Sequence, residues 1–204
     1  MNKVIEAENG SGGRPTVLLL PNLLTIARIA AVPLIVALLL IDGAGARWTA
    51  LVLFVAAALT DYVDGYLARK LSQRSALGVM LDPIADKLLV AAALVMLVAD
   101  GTIAGVHVIA AVVILAREVL ISGLREYLAG ISFEVPVSKL AKWKTAIQLV
   151  ALSVLMSGQA GEAVAPGVLT IGTAMLWLAA LLTVTTGYDY LKTGIARVIA
   201  EDDQ

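Results

Sequence analysis

The chain has 204 residues, 60% of them hydrophobic and only 15% charged, with a formal net charge of −1. A soluble globular domain carries about 25% charged residues, and the mean hydropathy here is +0.91. Together these values exclude an ordinary soluble enzyme, a disordered chain and a basic nucleic-acid binder. The lack of any cysteine excludes disulfides, thiolate metal sites and cysteine nucleophiles.

Six membrane helices of about 20 apolar residues would use about 120 positions, close to the supply that 60% of 204 residues provides. The composition therefore predicts an all-α, polytopic membrane protein with six transmembrane helices. Residues 1–16 form a short polar segment containing the linker-like NGSGGRP, and 17–204 form one membrane domain. The polar segment has no apolar core, so no cleavable signal is expected.

In chain order, the first apolar span runs from about Asn22 to Ile41, with Pro21 in its first turn. A turn at Asp42-Gly43-Ala44-Gly45 leads to a second span, about Trp48 to Lys70. A polar connection, Leu71 to Leu81, precedes a third span over Pro83 to Val98, with Asp82 as its N-cap and Pro83 at its first helical position. Asp100-Gly101 turns the chain into a fourth span, Ile103 to Tyr127, and residues 129–136 link onward. The fifth span covers Ser138 to Met156, Gly158 to Pro166 form the next turn, and the sixth reaches from Val168 to Tyr190 before a short charged tail. With six spans, 14 of the 15 Lys and Arg residues fall on the side of the termini, and only Arg47 on the other. That asymmetry predicts cytoplasmic termini, in the cell (inner) membrane.

Four acidic residues stand out against this background. Asp61 and Asp64 lie near the cytoplasmic end of the second span, Asp82 and Asp86 at the start of the third. Residues three or four apart share a helix face, so each pair projects together, and a short connection brings the pairs into one cluster. An aspartate at a helix centre costs about 2.5–3.5 kcal/mol on insertion, less near the end. Four of them also repel one another. A cationic partner is required, and an all-oxygen set without histidine or cysteine suits Mg²⁺, Mn²⁺ or Ca²⁺. Two divalent ions would balance the four charges and suit phosphoryl transfer. Gly65 and Ala68, on the same turns, remove bulk where a ligand could approach; tight helix packing is the bland reading of the same residues.

The string Asp61-x-x-Asp64-Gly65-x-x-Ala68-Arg69, then Gly78-x-x-x-Asp82-x-x-x-Asp86, resembles the signature of the CDP-alcohol phosphatidyltransferases at all eight positions. The resemblance implies two divalent cations, Mg²⁺ foremost with Mn²⁺ the alternative, that hold the pyrophosphate of a CDP-linked lipid. Asp61 and Asp82 would bridge both ions, Asp64 would bind one and Asp86 the other. Asp86 would also be the general base on the acceptor hydroxyl, with CMP as leaving group. Gly65, Arg69 and Ser75 would contact the CDP portion, with Ala68 and Gly78 allowing close approach. A homodimer is also implied.

The acceptor is read from nearby cations. Arg117 and Arg125 share a broad face of the fourth span, and Lys139 and Lys142 open the fifth. An arginine at such depth calls for an anion, either an acceptor phosphate or, more blandly, Glu118 and Glu126. Lys144, on another face, is expected to anchor the interface with Trp143. The strings PNLLTIAR, LDPIADKLL, AREVLISGLRE and SKLAKWKTA resemble family members that use glycerol 3-phosphate. The implied substrates are CDP-diacylglycerol and glycerol 3-phosphate, the product phosphatidylglycerol phosphate. Asn22 and Thr25, in the first string, are candidate nucleotide contacts, or ordinary helix caps. His107 lies far from the cluster and reads as a satisfied or solvated histidine. Other acceptors remain open, namely inositol phosphate, or phosphatidylglycerol as in a cardiolipin synthase. A cation transporter would need its carboxylates along a route across the membrane rather than at one face, and a purely structural protein leaves them unexplained.

Overall fold

The computed structural model describes the backbone of residues 20–70, 76–131, 133 and 139–202; within these, the side chains of 20–21, 61–70, 76, 79, 139 and 200–202 are not described. Among the described residues there are six helices and no strand: α1 (Leu20–Leu39), α2 (Ala44–Lys70), α3 (Ala76–Ala99), α4 (His107–Gly130), α5 (Lys139–Val164) and α6 (Val168–Asp202). The expected polar segment 1–16 lies outside them. Four helical stretches are long and apolar enough to cross a membrane: Asn22–Leu39, His107–Gly130, Leu140–Val164 and Val168–Ile199. α2 contributes a shorter apolar stretch, Ala44–Thr60, and α3 carries Asp82, Asp86 and Lys87 in its first half.

α1 packs on α2 and α3, α6 packs on α4 and α5, and the two triplets meet most extensively where α2 lies against α5. The core mixes large side chains such as Phe54, Leu97, Leu152 and Leu155 with alanines at 50, 93, 151 and 179. Small residues let helices approach closely where lipid gives no hydrophobic drive to association. At Gly194 on α6, a Cβ would lie 2.7 Å from Leu124 Cδ2 on α4. Large apolar side chains, among them Leu34, Val52, Leu59, Val95, Val112 and Leu181, cover the outside. An apolar exterior around a packed core is what a bilayer requires.

Five boundaries differ by four residues or more from those the sequence suggested. α2 begins at Ala44, inside the expected Asp42–Gly45 turn and before Trp48. α3 begins at Ala76, so Asp82 is no N-cap and Pro83 lies inside the helix. A proline costs the helix one hydrogen bond, but membrane bundles tolerate this because packed neighbours re-satisfy the backbone. α4 starts at His107, after a turn in which His107 N donates to Ala104 O at 3.2 Å. α5 continues past Met156 to Val164, through a kink where Gly158 has φ 54° and ψ −145°. Glu162 then caps the next helix, its Oε1 accepting from Gly167 N at 2.7 Å and its Oε2 from Leu169 N at 3.0 Å. α6 is 35 residues long, about 52 Å, so the stretch read as a charged tail is helical as far as Asp202. The Asp100-Gly101 turn is as expected: Thr102 N donates to Asp100 Oδ1 at 2.8 Å, and Gly101 has φ 78°.

Candidate active site

α1 and α3 lie side by side with their N-terminal halves together, and polar residues mark the contact. Thr25 Oγ1 donates to Asp82 Oδ1 at 2.6 Å. One turn further along both helices, Arg28 Nη1 donates to Asp86 Oδ1 at 2.6 Å. Asn22, Thr25 and Arg28 are all buried, whereas the Asp86 side chain is 45% exposed. Both carboxylates are thus held from inside the bundle, with the Asp86 side chain nearly half exposed and Asp82 half-buried. Gly78, a turn before Asp82, is buried.

Asp61, Asp64, Gly65, Ala68 and Arg69 lie in the last turns of α2, which packs on α1 and ends just before α3 begins. Their side chains, and Ser75 altogether, lie outside the described residues. Among the described residues no group of three or more metal-ligating side chains is gathered. The donor chemistry fits a hard divalent cation nonetheless. Asp82 and Asp86 offer oxygen only, the chain has no cysteine, and its single histidine is engaged elsewhere. His107 Nδ1 accepts from Trp177 Nε1 at 3.0 Å, as expected of a satisfied histidine.

The expected acceptor cations differ in burial and partners. Arg117 is partly buried, with Nη1 3.7 Å from Glu118 Oε1 and a buried Nε that has no hydrogen-bond partner. Gly187 on α6 leaves it room, since a Cβ there would lie 3.1 Å from Arg117 Cγ. Arg125 is exposed, its guanidinium 5.8 Å from the centre of the Tyr190 ring. Lys142 is exposed, and the Lys139 side chain lies outside the described residues. Lys144 corrects the expectation of an interfacial anchor. It is 2% exposed and ion-paired with Glu118, while its neighbour Trp143 is on the surface. A desolvated ammonium inside a bundle must meet an anion, and Glu118 on α4 supplies one. Gln148, one turn on, is buried with Oε1 unbonded. A cavity of about 460 Å³ opens at the opposite end of the bundle, beside Asp42, Arg47, Asp100 and Gln159. It contains no signature residue.

Sequence reasoning missed Arg28 and Lys144 as interior charges. Arg28 had a signal: it stands three residues after Thr25 inside an apolar span, where an arginine requires an anion.

The chain belongs to the CDP-alcohol phosphatidyltransferase family, whose model matches residues 18–185. It is 50% identical, over 85% of its length and 93% of the relative's, to a CDP-diacylglycerol–glycerol-3-phosphate 3-phosphatidyltransferase of Rickettsia bellii. A protein of the same name from Cereibacter sphaeroides is 38% identical over 86% of this chain and 95% of its own. A CMP-forming cardiolipin synthase of Oryza sativa is also 38% identical, over 87% of this chain but 58% of its own.

Proposed function

We propose that the chain transfers the phosphatidyl group of CDP-diacylglycerol to glycerol 3-phosphate, giving phosphatidylglycerol phosphate and CMP. The observation that carries this reading is the seating of Asp82 and Asp86 on Thr25 and Arg28. It gathers half of the family's carboxylate signature at one end of an apolar bundle. The relative that is 50% identical is named for this acceptor. At 38% identity the names divide between glycerol 3-phosphate and cardiolipin synthesis, so the acceptor is the part that most needs testing.

Asp61 and Asp82 would hold both divalent cations, Asp64 one and Asp86 the other. When bound, those cations, Mg²⁺ or Mn²⁺, neutralise the diphosphate and stabilise the departing CMP. Asp86 takes the proton of the acceptor hydroxyl as that oxygen attacks the lipid-side phosphorus, and the bond from this phosphorus to the CMP oxygen breaks. Gly65, Arg69 and Ser75, with Asn22 and Thr25, would face the CDP portion, and Ala68 and Gly78 keep its approach clear. Arg117 would bind the acceptor phosphate, with Arg125, Lys139 and Lys142 drawing the anion in. The buried Lys144–Glu118 pair lies beside it.

The same reading places residues 17–204 as one six-span domain of the inner membrane, termini and site on the cytoplasmic face, in a homodimer. The basic asymmetry supports the orientation, and the family resemblance supports the dimer. The natural absence of cysteine makes topology directly measurable. Single cysteines at Asp42 and Glu126 should label from opposite sides of the membrane.

Purified protein with CDP-diacylglycerol, Mg²⁺ and labelled glycerol 3-phosphate should release CMP and form a labelled phospholipid. Turnover with inositol phosphate or phosphatidylglycerol in its place, and none with glycerol 3-phosphate, would refute the acceptor assignment.

A further inference from the structure

The polar edge of α1 is costly where it stands. Arg28 is 1% exposed on a helix otherwise almost wholly apolar, and an arginine inside a membrane span must be paired to be tolerated. Its ion pair with Asp86 is lopsided, because the guanidinium is fully buried and the carboxylate nearly half open. The cation reaches Asp86 from within the bundle and leaves its outer side accessible. Lys87, the cation next to Asp86 in sequence, turns back along its own helix to Pro83 O at 2.9 Å. Thr25 grips Asp82 in the same manner one turn away. Two contacts one turn apart on both helices fix how far α3 is shifted and rotated against α1, and so where both carboxylates stand.

We propose that Arg28 is a positioning residue for Asp86, holding its carboxylate from inside the bundle in the orientation that serves a divalent cation and the acceptor hydroxyl. The proposal rests on the reading of Asp86 as a site carboxylate. Groups behind a metal ligand that orient it are worth about 10–100-fold in metal affinity or activity. Charge alone would act in the opposite sense, since a cation next to a ligand repels the metal, so the two effects are separable by sign.

Mn²⁺ alone is titrated into the detergent-solubilised full chain and free Mn²⁺ is followed by its EPR signal. Wild type, Arg28→Gln, Arg28→Lys and Asp86→Asn are compared, with folding verified by gel filtration and thermal unfolding. Turnover of each is resolved into kcat and the KM for CDP-diacylglycerol. Arg28→Gln should weaken Mn²⁺ binding by about tenfold or more and lower kcat to a similar degree, with little change in KM. Arg28→Lys keeps the charge but loses the guanidinium geometry, so it should fall between wild type and Arg28→Gln on both measures. Wild-type Mn²⁺ affinity and kcat in folded Arg28→Gln would overturn the proposal. So would tighter Mn²⁺ binding, which would make Arg28 a competitor for Asp86. Should Arg28→Gln fail to fold, wild-type values in Arg28→Lys overturn it and losses in both support it. Asp86→Asn separates the levels: wild-type behaviour there defeats the underlying site, whereas a defect there with none in Arg28→Gln defeats only the role of Arg28.

Discussion

At one end of the bundle Arg47 leaves the start of α2 and ties three elements together. Its Nη2 meets Asp100 Oδ2 and Thr102 Oγ1 at 2.7 Å each, and its Nε donates to Met156 O at 3.1 Å, two residues before the Gly158 kink. Asp100 spends its other oxygen on Thr102 N. At the other end Arg28 meets Asp86, whose side chain is 45% exposed against 16% for Asp100. The first arrangement turns its polar groups on one another and closes a joint between helices. The second holds Asp86 from behind and leaves its side chain nearly half exposed. The same pair of residue types therefore serves cohesion at one end and, on the proposed reading, chemistry at the other, and accessibility of the carboxylate distinguishes the two uses.

Substitutions at the two ends should fail differently. The largest effect is expected for Asp86→Asn, which should cut CMP release by about 10²-fold or more through loss of the base, with the protein still folded. Wild-type turnover would remove Asp86 from the chemistry and with it the contrast between the ends. Lys144→Met removes the buried partner of Glu118, which keeps Arg117 Nη1 at 3.7 Å, and should cost about 1–3 kcal/mol of stability. Adding Glu118→Gln also takes the carboxylate from Arg117 and should lower stability further, as denaturant titration in detergent would show. A double variant as stable as wild type would mean that Arg117 does not depend on Glu118.

At the closed end, Gly158→Ala puts a Cβ 2.1 Å from Arg47 Nε at a residue with φ +54°. About 2 kcal/mol of destabilisation is expected, with kcat per folded molecule unchanged. A fall in kcat without a fall in melting temperature would show that this end takes part in the reaction. The smallest effect should come from Trp177→Phe, which deletes the donor to His107 Nδ1 and should cost about 1 kcal/mol, read as a modest drop in melting temperature.

The apolar segments, their order and the carboxylate signature can all be read directly along the chain. Each is either a matter of composition over a 20-residue window or of spacing within one or two helices. Chemistry at Asp82 and Asp86 can be anticipated because two acids one turn apart in an apolar run are costly unless a cation meets them. The start of α3 is harder to place, because Pro83 is a good first helical residue and local preference says nothing of neighbours that let a helix continue through it. Lys144 reads as a surface residue along the chain because its flanks, Trp143 and Lys142, are interfacial residue types. Its burial depends on the rotation of α5 that brings it to Glu118.

Composition thus settles that the chain is helical and apolar enough to span a membrane, and spacing picks out the four acids, while the family rests on the resemblance of that string and the match over residues 18–185. A helix that is apolar all round offers no periodic face, so nothing in its own pattern says which way it turns. The pairing of Arg28 with Asp86, of Thr25 with Asp82, of Lys144 with Glu118 and of Arg47 with Asp100 joins residues 26 to 58 positions apart. Each depends on the rotation and shift of one packed helix against another, which is fixed only when the helices are assembled.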